Sequence, residues 1–213
     1  MLQNIKTEQK KYLTLFEVIY KKYKPKLEFR NAGITGEKET TQRLRFEIYH
    51  QEIKYVDEAH CMDEFDDIAT VYNCYYKQKA IGTLRFIDSD EYIPEMLQTH
   101  PALRTILPLE KHYLEVGRYM IDKKHRNSVF TLPVFKYIFE KALNLGVESI
   151  ILSCAPHLIP YYTKFGFKLI SDKPIARKYL QAVDDYPMVF DFHKDKGWFN
   201  ALKILLPKLN AIH

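Results

Sequence analysis

Residues 109–170 read LEKHYLEVGRYMIDKKHRNSVFTLPVFKYIFEKALNLGVESIILSCAPHLIPYYTKFGFKLI. His112 to Ile121 alternates loosely and predicts a strand, with Glu115 and Arg118 set in an otherwise apolar run. A basic turn, Lys123 to Asn127, leads into a helical pattern that stops at Gly146. A short apolar strand follows from Glu148 to Cys154, then a helix-like piece, then Tyr161-Tyr162-Thr163-Lys164-Phe165-Gly166-Phe167 and a further strand. Strand, turn, helix, strand, helix, strand predicts parallel pairing through right-handed crossovers. It also sets a helix N-terminus beside the basic turn, where unpaired N–H groups favour an anionic group.

Upstream, Ile68 to Tyr76 (IATVYNCYY) and Ala80 to Ile87 (AIGTLRFI) flank a tight turn at Gln78-Lys79 and predict a hairpin. Leu27 to Arg30 predicts a short strand, and Glu37 to Ile53 a helix with Leu44 and Ile48 facing inward. Cys61 to Asp67 reads as an acidic loop. Residues 88–108, with Pro94, Pro101 and Pro108, read as an insertion holding a short helical piece from Glu91 to Leu97. Downstream, Pro174 to Val183 reads as a loop or short helix, and Met188 to Phe192 as the last strand.

Residues 4–24 and Trp198 to Leu209 predict basic amphipathic helices. Packing on the domain is one reading of them, and reversible peripheral contact with an anionic membrane is the other. No repeat or linker divides the chain, so residues 1–213 are expected to be one domain. In it, residues 1–36 supply an N-terminal helix and first strand, and residues 197–213 a C-terminal helix. The expected class is α/β, a mixed central sheet of about six or seven strands with helices on both faces.

Hydrophobic residues make up 46% of the chain, enough for a full core at this length. A net charge of +5 favours an acidic partner or substrate. Basic and acidic residues are interspersed, however, and no zinc-finger or RNP signature points to nucleic acid. Cys61, Cys74 and Cys154 are odd in number and lack metal-type spacing, so no metal site is expected. With no signal-peptide pattern and no bilayer-length apolar run, a reduced, cytoplasmic setting is the expectation.

The element order and the YYTKFGF segment resemble the GNAT superfamily of N-acyltransferases. Within it, the chain is most similar to acyl-homoserine-lactone synthases and long-chain N-acyl amino acid synthases. Their motifs run R-x-x-V-F on a helix, then D-x-x-D, then G-x-x-R and E-x-x-R on successive strands. The matching residues are Arg45 with Ile48 and Tyr49, Asp63 and Asp66, Gly82 and Arg85, and Glu115 and Arg118. The resemblance spans roughly residues 40–192 and implies a splayed pair of parallel strands admitting an acyl thioester. Two departures stand out. The superfamily's Q/R-x-x-G-x-G/A loop is here Arg126 to Thr131, with Val129 and Thr131 at the small positions, and the tryptophan lactone synthases often carry in the N-terminal lobe is missing; Trp198 is the chain's sole tryptophan. The first disfavours coenzyme A as donor relative to acyl carrier protein, whose acidic surface suits a positive chain; the second leans toward the amino acid branch.

The resemblance implies moving a fatty acyl group from a thioester to the amine of a small acceptor, an amino acid being expected. The co-substrate is an acyl-phosphopantetheine thioester on acyl carrier protein or coenzyme A, with no permanently bound cofactor. Glu115 is the candidate to orient or deprotonate the amine, given a bulge that turns it to the same side as Arg118. Tyr162 is the position the family uses to protonate the leaving thiolate. Arg85 and Arg118 are candidates to anchor the acceptor carboxylate, with Arg45, Asp63 and Asp66 as further substrate-binding candidates. Lys123, Lys124, Arg126, Asn127 and Ser128 are the candidates for phosphate or carrier contact. Other readings stay open: an acetyl-CoA-dependent N-acetyltransferase, a non-catalytic acyl or carrier-protein binder, and a hydrolase using Cys154, which ends a strand before a helix where a thiol pKa would fall.

Overall fold

The computed structural model describes residues 25–34, 36–126, 128–176, 179 and 184–194. Both amphipathic end segments, residue Asn127 and most of 177–183 lie outside the described residues, and of Ser128 and Val129 only the backbone is described.

Strands β1 (Leu27–Asn31), β2 (Thr70–Tyr76), β3 (Lys79–Asp88), β4 (Tyr113–Ile121), β5 (Ser149–Cys154), β6 (Lys168–Leu169) and β7 (Tyr186–Asp191) form one sheet. Its order is β1-β2-β3-β4-β5-β7-β6. The β2–β3 hairpin turns at Lys77 and Gln78, whose φ values of 48° and 64° suit a tight primed turn; the turn falls one residue before its expected place.

Among the described strands, only β4 and β5 pair in parallel. The expectation of further parallel pairing fails because β7 inserts between β5 and β6 and runs antiparallel to both. Parallel contact between β4 and β5 is itself brief, from Tyr113↔Ser149 to Glu115↔Ile151. Both strands continue beyond that point without pairing with each other, so they splay apart.

Among the described residues, four α-helices flank the sheet: α1 (Glu37–Arg45), α2 (Glu95–Thr99), α3 (Ser128–Leu145) and α4 (Ile159–Thr163). Val134, Phe135, Ile138, Phe139 and Ala142 of α3 join Leu114, Val116, Ile150 and Leu152 in one buried cluster. A second cluster joins Met96 and Leu97 of α2 to Tyr113 and Ile151. Because side chains alternate along a strand, neighbouring residues of β4 and β5 feed the two clusters, and helices cover both faces. The α2 helix begins after Pro94, later than its sequence pattern suggests.

The helix expected to run to Ile53 changes geometry. α1 stops at Arg45, and Phe46–Glu52 continue as a π-helix in which the Ile53 N–H reaches the Ile48 carbonyl, 2.9 Å away. The wider turn absorbs one extra residue. Two 3-10 turns follow, at Glu58–His60 and at Glu64–Asp66, the second inside the Cys61–Asp67 stretch read as a loop.

Gly82, the glycine of the G-x-x-R motif, has a steric reason. A Cβ built there would land on the Met120 carbonyl oxygen and within 3.2 Å of the Ile121 Cα, both on the neighbouring strand. Gly82→Ala should therefore force β3 and β4 apart and destabilise the fold by about 1–3 kcal/mol. A lowered urea midpoint with an unchanged m-value would verify this, and an unchanged midpoint would refute it.

Candidate functional site

A buried cluster of charge organises the face of the sheet covered by α1 and α2. Asp63 caps the Glu64–Asp66 turn, its side chain accepting from Phe65 N–H while Asp66 accepts from Asp63 N–H, a reciprocal capping box. That local turn fixes two carboxylates side by side. Arg45, with a side chain 0% exposed, grips Asp66 through two hydrogen bonds of 2.6 and 2.9 Å. Arg85 reaches Asp63 at 2.6 Å and Asp66 at 3.2 Å, and also binds Glu95 at the start of α2. Arg118 closes the cluster on the second oxygen of Asp63.

Arg118 gets there through a bulge. Arg85 pairs with Gly117 and Thr83 with Met120, so β4 spends one more residue than β3 over this step. Arg118 takes a φ of +49°, a left-handed conformation uncommon for a side-chain-bearing residue. The bulge carries its guanidinium to the face that also holds Glu115, as the sequence required.

Burial alone would push these groups toward neutrality, but their partners decide the outcome. Burial pushes the Asp63 carboxyl up, yet Arg85 and Arg118 outweigh it and hold it at about 2. Burial likewise opposes the Arg85 charge, and Glu95, Asp63 and Asp66 raise its pKa above the ordinary value. At Arg45 burial prevails over Asp66, and the pKa is lowered.

Where β4 and β5 splay, a cleft of about 470 Å³ opens. Its walls are Val116 to Ile121 of β4, Leu152 to Cys154 of β5, and Phe135 and Ile138 of α3. Past Glu115, the edge of β4 that would have faced β5 borders this space instead of a partner strand. Tyr49 of the π segment, Ile53 just after it, Arg126, and Tyr161 and Tyr162 of α4 also line it, with Asp185 before β7.

The expected site residues divide between cluster and cleft. Tyr162 lines the cleft and is 8% exposed; burial keeps its phenol pKa well above the ordinary value. Arg118 lines it too, with Tyr49 lying under its guanidinium at 5.8 Å. Arg45, Arg85, Asp63 and Asp66 do not border it; their charges are spent on one another. Asp63 and Asp66 instead border a smaller hollow near Lys38 and Asp67.

Glu115 departs from its expected place. Both carboxylate oxygens accept from Met96 N–H, at 3.3 and 3.2 Å, beneath α2 and outside the cleft wall. The physical reason is alternation: Glu115 precedes the bulge, so it keeps the orientation of Tyr113 and faces the α2 insertion. Its placement is corrected from the cleft wall to a buried position beneath α2. Arg126 reaches the rim, Lys123 and Lys124 are exposed on the turn before it, and Ser128 opens α3.

Cys154 also departs from expectation. It lines the cleft, but burial, helped by Asp185, pushes its thiol up to about 12, and its sulfur sits 3.6 Å from that of Met188. A nucleophilic thiolate is not supported. Asp185 and Ser153, hydrogen-bonded at 2.9 Å, were missed by sequence reasoning. Asp185 stands in a stretch without helical or strand period, and no local motif marks it.

Residues 44–134 match the acetyltransferase (GNAT) domain family. The chain also superimposes on FeeM, an N-acyl amino acid synthase from uncultured soil microbes, with a TM-score of 0.67 over 83% of this chain and 95% of that one. The chain has a GNAT fold. Identity to FeeM is 17%. Two acyl-homoserine lactone synthases share the GNAT fold at 14% identity. BjaI, CoA-dependent and solved with SAM and isopentyl-CoA, gives a TM-score of 0.63 over 85% of this chain and 89% of its own. LasI gives 0.59 over 78% and 89%. No protein among curated relatives matches the sequence.

The cluster has a measurable cost of disruption. Asp63→Asn leaves Arg85 and Arg118 without their shared carboxylate and should destabilise the protein by about 3–5 kcal/mol. Asp63 titrates at about 2 when folded and at about 3.9 when unfolded. Its stabilisation of about 2–3 kcal/mol is therefore complete above the unfolded value and lost as pH falls through the folded one. Urea unfolding measured between pH 7 and pH 2 should show a loss below about pH 4 that is smaller in Asp63→Asn.

Proposed function

We propose that this chain is an N-acyltransferase that moves a fatty acyl group from a pantetheine thioester to the amine of a small acceptor, an amino acid being the favoured class. The observation that carries this reading is the largely apolar cleft opened by the divergence of β4 and β5, with Tyr162 and Arg118 in its wall. A thioester threaded there lies along unpaired backbone of β4, whose N–H groups are suited to hold the carbonyl oxygen. Such donors are typically worth about 3–4 kcal/mol in the transition state. FeeM's overlap in fold and the name of the matched domain family support the same reading.

In the reaction, the amine nitrogen bonds to the thioester carbon and the carbon–sulfur bond breaks. The amine loses one proton as it becomes an amide, and the sulfur gains one as it leaves. Tyr162, kept protonated by burial, donates a hydrogen bond to the departing sulfur. Arg118 is the cluster arginine placed to meet an acceptor carboxylate. Asp185, with its hydroxyl partner Ser153, puts negative charge in the cleft wall, which draws the acceptor's ammonium and assists its deprotonation.

Acyl carrier protein is the favoured donor, because Val129 and Thr131 stand in the sequence where the superfamily's motif has small residues, and a diphosphate needs close backbone approach there. The matched family's description as an acetyltransferase favours acetyl-CoA as the second reading. Incubating the full chain with acyl-carrier and acyl-CoA series and mixed amino acids, then weighing the products, decides between them. Long-chain N-acyl amino acids from the carrier series support the proposal; acetylated amines from the CoA series support the second reading; no amide from any pairing overturns both.

Tyr162→Phe should lower kcat about 100-fold with little change in donor KM. Asp185→Asn should raise the acceptor KM, with the deficit shrinking as pH approaches the amine's own pKa. Steady-state kinetics from pH 7 to pH 9.5 measure both effects.

A further inference from the structure

The rim of the cleft carries an ion pair that the transfer step does not use. The Nε and Nη2 of Arg126 donate to the Ile121 carbonyl at 3.1 and 2.9 Å, pinning the guanidinium to the end of β4. Nη1 and Nη2 grip the two carboxylate oxygens of Glu52 at 2.9 and 3.3 Å. The pair is end-on and bidentate, and together with the Ile121 carbonyl it uses most of the donors an arginine owns. Glu52 is delivered by the π-helix, of which it is the last residue, next to Ile53 in the cleft wall. The two side chains are 41% and 30% exposed, so they meet solvent at the entrance rather than in the core.

Any anionic group arriving at this rim meets a guanidinium already neutralised. To bind Arg126 it must displace a carboxylate, and that carboxylate then remains nearby as a like charge. The penalty grows with the charge of the arriving group. A nucleotide thioester brings a diphosphate and a further phosphate, whereas a carrier-bound pantetheine brings a single phosphodiester.

We propose that Glu52 is a donor-selecting residue: by holding Arg126 in a bidentate pair at the cleft entrance, it disfavours diphosphate-bearing thioesters relative to pantetheine presented on a carrier. The inference rests on the acyltransferase reading for its biological sense, but its test does not require turnover.

Calorimetric titration of the full chain with coenzyme A, and with pantetheine as an uncharged probe, reads the effect directly. Glu52→Gln should tighten coenzyme A about tenfold and leave pantetheine unchanged. Adding Arg126→Ala to Glu52→Gln should abolish the gain. Glu47→Gln, which removes an exposed carboxylate paired with Arg43 on the same π segment, is the control and should change nothing. Equal coenzyme A affinity in wild type and Glu52→Gln overturns the proposal, as does an equal gain in Glu47→Gln, which would reduce the effect to net charge. Both rim variants should melt with the wild type, since the pair lies at the surface. If no thioester supports acyl transfer while the Glu52→Gln gain appears, the acyltransferase reading falls and the rim assignment stands. If transfer occurs without that gain, the reverse holds.

Discussion

The carboxylate of Asp63 lies between Arg85 on β3 and Arg118 on the bulge of β4, and most of the site's geometry depends on that placement. A capping box holds Asp63 to Asp66, Asp66 holds Arg45, and Arg45 ends α1. One chain of charge-assisted bonds thus ties a helix, a loop and two strands together, beside the apolar contacts these elements also make. Buried ion pairs return little net stability against desolvation, so their value here is positional. They hold Arg118 in a left-handed conformation that an unconstrained strand residue would abandon.

That conformation matters because the bulge sits just past the point where β4 leaves β5. Glu115 is the last β4 residue paired with β5, and Arg118 belongs to the cleft wall. Hydrophobic packing of α3 supports one side of the opening and charge supports the other. In the proposed reaction, the acceptor's ammonium and carboxylate meet groups of opposite sign in Asp185 and Arg118, and the acyl chain meets Phe135, Ile138 and Leu152.

Much of this was legible in the chain. Strand periods at Ile68 to Ile87 and His112 to Ile121, and the apolar run before Cys154, fix the central strands because alternation survives without tertiary context. The bulge was inferable from Glu115 and Arg118 standing three apart with one face required of both. The rest depended on packing that no local pattern records. Glu115 lies on the Arg118 side as required, but the insertion helix roofs that side and leaves its carboxylate bound to Met96 N–H. Parallel placement of β6 was plausible locally, and β7 displaced it from a distance in sequence. Asp185 follows Asp184 just before β7 with no motif to mark it, and only the fold brings it to the cleft that Tyr162 lines. Arg126 was expected to face a phosphate, and only coordinates show it facing Glu52.

The sheet behaves as two leaves joined along a short spine. One leaf is β1 to β4, the other β5 to β7, and the stitching between them spans just Tyr113–Glu115 against Ser149–Ile151. Guests of different girth can therefore be housed by a small change in the angle between the leaves. Such a change breaks few ladder bonds and is resisted by the side chains of α3 on one face and of α2 on the other, which pack across the junction. Under the proposed reaction, tolerance of acyl length follows from how little backbone crosses the spine, and helix residues far from the reacting atoms would tune it.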